Sequence, residues 1–164
     1  MDAHQSKEEF LKQLGQKAGD YEELLANCAQ GTLLALQEKF DLGNAQTLKA
    51  ATAMSGIALR GETCGSVIGS IMALGMFFGC DNPGDFTASR RVIRASRKFC
   101  RQFEAIFGSC NCRDIQQRIF GRSFNLANSN DMEAFTRADA GKKCRLAVEK
   151  AAKIAGEIIL ESNK

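Results

Sequence analysis

The chain has one histidine, His4, one tyrosine and no tryptophan among 164 residues. His4 falls in a stretch that reads as a mobile tail, so histidine-based triads and histidine-ligated catalytic metal centres have nothing to build on. No G-x-x-x-x-G-K-[ST], G-x-S-x-G or G-x-G-x-x-G context occurs, which removes the common nucleotide-binding and nucleophile-elbow chemistries. Proline is also scarce, with Pro83 alone, and alternating runs of Val, Ile and Thr are missing. Ala, Leu, Lys, Glu and Gln instead recur at helical spacing, so the expectation is an all-α, single-domain bundle of about six to eight helices spanning 1–164. Residues 1–19 are polar, carry both signs of charge and contain no apolar h-region. That argues against a secretory or transit segment and for a cytoplasmic protein, with 1–19 expected to be peripheral.

Charge is missing altogether from Thr63 to Cys80. Gly65 and Gly69 give this run the small-xxx-small spacing of a membrane helix. Four glycines dilute its apolarity, however, and a buried central helix needs the same all-round character, so no membrane span is expected.

Sulfur is what the chain does have. Seven cysteines are an odd number that cannot pair fully within one chain, and structural disulfides are rare in a reducing compartment. Ligands, redox thiols or buried side chains are therefore the readings to weigh. With 45% hydrophobic residues the chain can bury one core, and any of the seven could belong to it.

Ser6 to Leu14 reads as a short amphipathic helix, with Ser6 as N-cap and Glu9 at the capping-box position, broken by Gly15 and Gly19. From Asp20 to Phe40, Leu24, Leu25, Cys28, Thr32 and Leu36 recur at helical spacing, which places Cys28 on the buried face of one helix. A helix over Gln46–Met54 and a loop over Ser55–Gly61 lead to the central helix, whose first turn holds Cys64. The turn cluster Asp81 to Asp85 precedes a helix over Thr87–Phe107 with the stripe Val92, Ser96, Phe99, Cys100, Phe103, Ile106 and Phe107, stopped by Gly108. Cys112 opens a short helix closed by Gly121. After a polar loop over Asn125–Asp131, Gly141 begins a last amphipathic helix with Cys144, Val148, Ala151, Ala155 and Ile158 on one face.

Among the cysteines, Cys64 has the clearest chemistry, because unpaired N–H groups at a helix N-terminus favour a thiolate there. Gly65 and Gly69 would let a second backbone or a cofactor approach. Cys112 also begins a helix and has Arg113 beside it, which reads as an electropositive, near-surface setting. Cys110 could share a metal with it or resolve a disulfide, although a lone C-x-C is a weak metal signature. Cys28 and Cys144, taken alone, read as small buried residues, and Cys80 and Cys100 as core or helix-end residues.

Thr63-Cys64-Gly65-Ser66-Val67-Ile68-Gly69-Ser70, continuing to Gly75, resembles the C-G-A-x-x-G signature of a family of small proteins described as redox-active. That family is called C_GCAxxG_C_C for its four signature cysteines. The resemblance extends to Asn27-Cys28-Ala29-Gln30, to Phe107-Gly108-Ser109 with Cys112-Arg113-Asp114, and to Cys144-Arg145, covering the chain from about Tyr21 onward. It implies that Cys28, Cys64, Cys112 and Cys144 are the family cysteines and that Cys80, Cys100 and Cys110 are extras. Ser66 stands where the signature has alanine, and adds a hydroxyl.

Four thiolates from four helices, converging at one end of a bundle, would select an iron–sulfur cluster, or structural zinc, over oxygen-loving cations. The metal and cofactor ligands would then be Cys28, Cys64, Cys112 and Cys144, with Gly65 and Gly69 giving backbone room, and the activity would be one-electron transfer. Their sequence gaps match no ferredoxin-type run, so convergence has to come from the fold. Two alternatives stay open. Cys64 could act as the attacking thiol, with Cys112 or Cys28 resolving, in metal-free thiol–disulfide chemistry. Or the thiols are inert in a helical interaction module.

Arg90, Arg94, Arg97 and Arg101, with Arg91 and Lys98, form a basic stripe on a chain of net charge +3. No aromatics alternate with the arginines, so nucleic acid is not the expected partner. A solvated face, or a docking surface for an oxidoreductase or electron-transfer protein, fits the pattern, and a homodimer is a further partner reading.

Overall fold

The computed structural model describes residues 6–162, so His4 lies outside the described residues. Nine helical segments are found among them: α1 (Lys7–Leu25), α2 (Cys28–Phe40), α3 (Ala45–Ala50), α4 (Gly56–Leu59), α5 (Gly65–Phe78), α6 (Phe86–Phe107), α7 (Cys112–Phe120), α8 (Ser129–Arg137) and α9 (Ala140–Glu161). The all-α expectation holds. Among the described residues the only β-type pairing is an isolated antiparallel bridge between Thr63 and Asn111.

α9 forms the centre, packed against α1, α2, α5 and α6, while α2 lies between α1 and α5. Its buried face is Val148, Ala151, Ala155, Ile158 and Ile159, as the periodicity predicts. Small side chains at three-to-four-residue spacing let neighbouring helices close in, and the larger Leu14, Leu33, Leu36, Leu74, Phe99 and Phe103 fill the remaining space. α6 contributes a ladder of rings, with Phe99 and Phe103 centroids 5.9 Å apart and Phe103 and Phe107 4.6 Å apart.

The N-terminal region differs from its expectation. Ser6 does cap α1, its hydroxyl accepting from the Glu9 N–H at 3.1 Å. Gly15 and Gly19, however, lie inside a continuous 19-residue helix and are buried. They act as close-approach points: a Cβ on Gly19 would stand 2.8 Å from Arg145 Cγ, and one on Gly15 would overlap the Lys153 side chain. The cost of glycine in a helix, about 1 kcal/mol, is offset by packing α1 onto α9. Residues 6–19 are thus part of the bundle rather than peripheral to it.

Arg145 locks the same interface. It donates to Asp20 at 2.7 Å, Glu23 at 2.6 Å and Glu149 at 2.7 Å, and also to the Gln16 carbonyl. Replacing Arg145 with methionine keeps much of the aliphatic stem and removes these charges. Because Asp20 is largely solvent-exposed, the expected loss is about 1 kcal/mol in urea unfolding at low salt, shrinking as salt is added.

The expected helix over Asp20–Phe40 is two helices. α1 ends at Ala26, whose φ of 48° turns the chain left-handed. Asn27 then caps α2, its Oδ1 accepting from the Gln30 N–H at 3.1 Å. α3 stops at Ala50, short of the expected Met54. α8, absent from the sequence reading, is capped by Asn128, and its Phe135 packs on Phe120 and Phe124. Ile106 of the expected α6 stripe is 40% exposed; Ala88 and Ala95 take buried positions instead. Among the described residues no helix is long and apolar enough to cross a membrane.

Candidate functional site

Splitting the second helix changes the setting of Cys28. It is the first residue of α2, not a mid-helix core position. Cys64 is the N-cap of α5, and Cys112 is the first residue of α7. Cys144 lies in the first turns of α9. All four line one cavity of about 80 Å³, together with Glu22, Gly56 and Gln116. Three helix N-termini therefore meet at the cavity, each setting the positive end of a helix dipole near its cysteine.

Short main-chain pairings hold Cys64 and Cys112 together. The Cys64 N–H donates to the Cys110 carbonyl at 2.8 Å, and the Cys112 N–H to the Glu62 carbonyl at 2.6 Å. The preceding turn is left-handed: Gly56, Ile57, Ala58 and Leu59 all have φ between 49° and 64°. Such angles cost non-glycine residues about 1–2 kcal/mol each. They carry Gly56 over Cys112, where even a Cβ would stand 3.7 Å from its Sγ. Strained backbone thus forms one wall of the cavity.

Cys28 Sγ packs against the start of α5 beside Cys64, where a Cβ on Gly65 would stand 2.5 Å from it. The Cys28 thiol also donates to Ser55 Oγ at 3.4 Å, and Ser55 Oγ in turn donates to Asn27 Oδ1 at 2.9 Å. Ser66, at the signature's alanine position, is fully buried with its hydroxyl 3.2 Å from Cys64 Sγ. Gln116 donates from Nε2 to Cys112 Sγ at 3.4 Å, and its Oε1 accepts the Phe124 N–H at 2.8 Å.

The neighbouring Cys64 thiol, together with burial, raises the Cys28 thiol well above its ordinary range. Burial pushes Cys112 up to about 12 and raises Cys144 as well. The electropositive setting expected for Cys112 is not found. Its thiol is turned into the cavity, while Arg113 points away to the Gly61 and Arg60 carbonyls and to Glu62. The sequence neighbour is near in the chain but engaged elsewhere.

Gly65 and Gly69 face α2. A Cβ on Gly65 would stand 2.5 Å from Cys28 Sγ and 2.8 Å from the Ala29 nitrogen, and one on Gly69 would stand 2.5 Å from the Ala29 oxygen. The space over both glycines is filled by α2 rather than left for a cofactor, and it is this close approach that brings Cys28 to Cys64.

Glu22 escaped the sequence reading. It is 6% exposed, its Oε2 has no hydrogen-bond partner among the described residues, and burial pushes its carboxyl up to about 7. A signal was present, since Phe10, Leu14, Ala18 and Glu22 follow one another at i, i+4 along the buried side of α1. The other cysteines lie outside the cavity lining. Cys80 is exposed beyond the end of α5, where its thiol donates to the Asn82 carbonyl, and Cys100 and Cys110 are half-buried.

Residues 26–158 match the family model described as "Putative redox-active protein (C_GCAxxG_C_C)". The chain belongs to the C_GCAxxG_C_C family. The matched region contains all four cavity cysteines, and Glu22 precedes it. No curated protein and no solved structure matches the chain.

Proposed function

We propose that the chain is a small electron-transfer protein whose Cys28, Cys64, Cys112 and Cys144 hold an iron–sulfur centre. The observation that carries this reading is the meeting of four cysteines from four helices at one cavity, three of them at helix N-termini. Thiolates in an apolar cavity need compensating positive potential, and helix N-termini supply it without a lysine or arginine in the lining.

The donor set fits such a group. Four soft sulfur ligands match iron–sulfur and zinc chemistry. Among the described residues no three His, Cys, Asp or Glu side chains gather around a single-ion position. When bound, the centre supplies reversible one-electron transfer. Gln116 Nε2 and the Ser66 hydroxyl stand ready to donate to the ligand sulfurs, which stabilises the more reduced, more negative state and raises the potential. The cysteines must give up protons to ligate, so loading is favoured as pH rises. The partner of such a protein is an oxidoreductase or another electron carrier.

One observation favours a second reading. Cys28 and Cys64 line the same cavity, with Cys28 Sγ against Gly65 next to Cys64, and metal-free thiol–disulfide exchange needs no more than these two cysteines.

Iron, acid-labile sulfide and the visible spectrum, measured on protein purified without oxygen, separate the two. The wild type should carry iron and sulfide, and Cys64→Ser should lose both while keeping its helical circular dichroism. Unchanged iron in Cys64→Ser would sink the four-cysteine site. Absence of iron and sulfide from the wild type, with a Cys28–Cys64 disulfide formed on mild oxidation, would replace it by the dithiol.

A further inference from the structure

The segment between α7 and α9, residues 122–138, is bounded by two left-handed positions, Gly121 with φ 74° and Asp139 with φ 61°. A Cβ on Gly121 would meet no atom within 4 Å, so packing does not fix that end, and at the other end Asp139 gives α9 no side-chain cap. Between them lies α8, which has no buried residue. Phe135 of α8 and Leu126 before it nonetheless line the four-cysteine cavity. Bonds within the segment brace it: Asp131 accepts from Arg122 at 3.0 Å and from the Asn125 N–H at 2.8 Å, and Asn128 caps α8. Apart from the turn at Asp139, the segment makes one hydrogen bond to the rest of the chain among the described residues, from the Phe124 N–H to Gln116 Oε1 at 2.8 Å. Because that N–H needs the amide oxygen, Gln116 Nε2 is turned the other way, to Cys112 Sγ at 3.4 Å. Along its free edge, an open groove separates Ser123, Phe124 and Asn125 from Arg60, Gly61 and Arg113.

We propose that residues 122–138 are a hinged lid over the four-cysteine cavity, latched by Gln116 and swinging about Gly121 and Asp139 to admit what the cavity binds. The lid governs access, and does so whether the cavity takes a metal centre or works as a dithiol. Hinge motion is absorbed by a few residues at the ends of elements, and two left-handed joints flanking an internally braced body supply them. Few bonds oppose opening. Phe124 and Phe135 travel together, so the ring contacts to be broken are those with Phe120 of α7, whose centroid lies 5.6 and 5.4 Å from theirs. A segment with so few buried apolar contacts belongs to the low-stability end of a fold, where lids are drawn from. Latch and site share one side chain. A group seated on Cys112 Sγ displaces the hydrogen bond from Gln116 Nε2, and the planar amide carries that movement to the Phe124 N–H.

The test uses the full chain, reduced and metal-free, with iodoacetamide at fixed pH and the rate at each cysteine read by mass spectrometry of peptides quenched over time. Gln116→Leu keeps the volume and removes both bonds of the latch. Cys28 and Cys144, which make no hydrogen bond to Gln116, should then alkylate about ten times faster than in wild type, as loss of a buried hydrogen bond allows, while exposed Cys80 keeps its rate. Arg113→Met, which instead frees the strained turn at Gly56–Leu59 from α7, should leave Cys28 and Cys144 as they were. Hydrogen exchange of the wild type gives a reading that needs no variant and decides the matter if Gln116→Leu does not fold: amides of α8 should exchange together and well ahead of those in α5 and α9. Unchanged Cys28 and Cys144 rates in folded Gln116→Leu, acceleration only in Arg113→Met, or α8 amides as slow as those of α9 would each overturn the lid. So would faster alkylation accompanied by lost protection in α9, which marks a loosened bundle.

Discussion

Gly69→Ala is expected to destabilise the bundle by about 2 kcal/mol, while Gly75→Ala in the same helix stabilises it. Both substitutions gain about 1 kcal/mol of helix propensity. At Gly75 nothing lies within 4 Å of the new Cβ, so the gain is kept. At Gly69 the Cβ would sit 2.5 Å from the Ala29 oxygen and 3.2 Å from the Leu33 nitrogen, both of which are backbone atoms of α2. A helix backbone cannot step aside as a lysine tip can, so α2 and α5 must separate, and overpacking of this kind costs about 1–3 kcal/mol or more. For a chain of this size the net loss lowers Tm by about 4–8 °C. Thermal unfolding of the two variants beside wild type measures it, and a Gly69→Ala variant as stable as Gly75→Ala would refute the close-contact argument. The same separation should pull Cys28 from Cys64, so Gly69→Ala should also slow any Cys28–Cys64 cross-link, which Gly75→Ala should not.

That contrast shows what the sequence makes legible. Glycine at positions 65 and 69 says that something approaches closely, and the helix N-terminus at Cys64 is readable from the run that follows. Which body approaches is a tertiary fact, fixed by the α2–α5 crossing. The class of the fold and the α6, α7 and α9 boundaries follow from periodicity and from stop signals at Gly108 and Gly121. The break at Ala26 does not, because alanine is a strong helix former and its left-handed φ is imposed by the capping of α2 through Asn27. That single break moves Cys28 from a core stripe to a helix N-terminus, so the missed boundary and the missed setting of the cysteine are one error. Cys112 shows the complementary failure. Arg113 beside it suggests a charge partner, but adjacent residues on a helix point in different directions, and Arg113 is taken up by carbonyls of the neighbouring loop.

Glu22 leads to the second large effect, a stability that falls as pH rises. In the unfolded chain a glutamate titrates near 4.5, whereas burial raises Glu22 to about 7 in the fold. Between these values the unfolded chain has lost its proton and the folded chain retains it. Unfolding therefore releases a proton, and stability drops from about pH 4.5 to pH 7 before levelling off. The size of the drop, from the separation of the two values, is about 3 kcal/mol. Glu22→Gln keeps the shape and removes the titration, so metal-free wild type and variant should be similar at pH 4.5, with the variant about 3 kcal/mol more stable at pH 8. Urea unfolding across this range checks it, and parallel curves for the two proteins would refute a buried, unpaired Glu22. The variant bears on the site as well. Glu22 helps to hold up the thiols of Cys28, Cys112 and Cys144 through its charge. Where Glu22 is ionised, above pH 7, its neutral replacement should make these three cysteines alkylate faster than in wild type, and the difference should fade below pH 6, where the wild-type carboxyl is protonated and as uncharged as the variant's amide. An acid that opposes thiolate formation in a cavity built from helix N-termini sets the proton cost of loading that cavity, from a helix outside the region shared with the family.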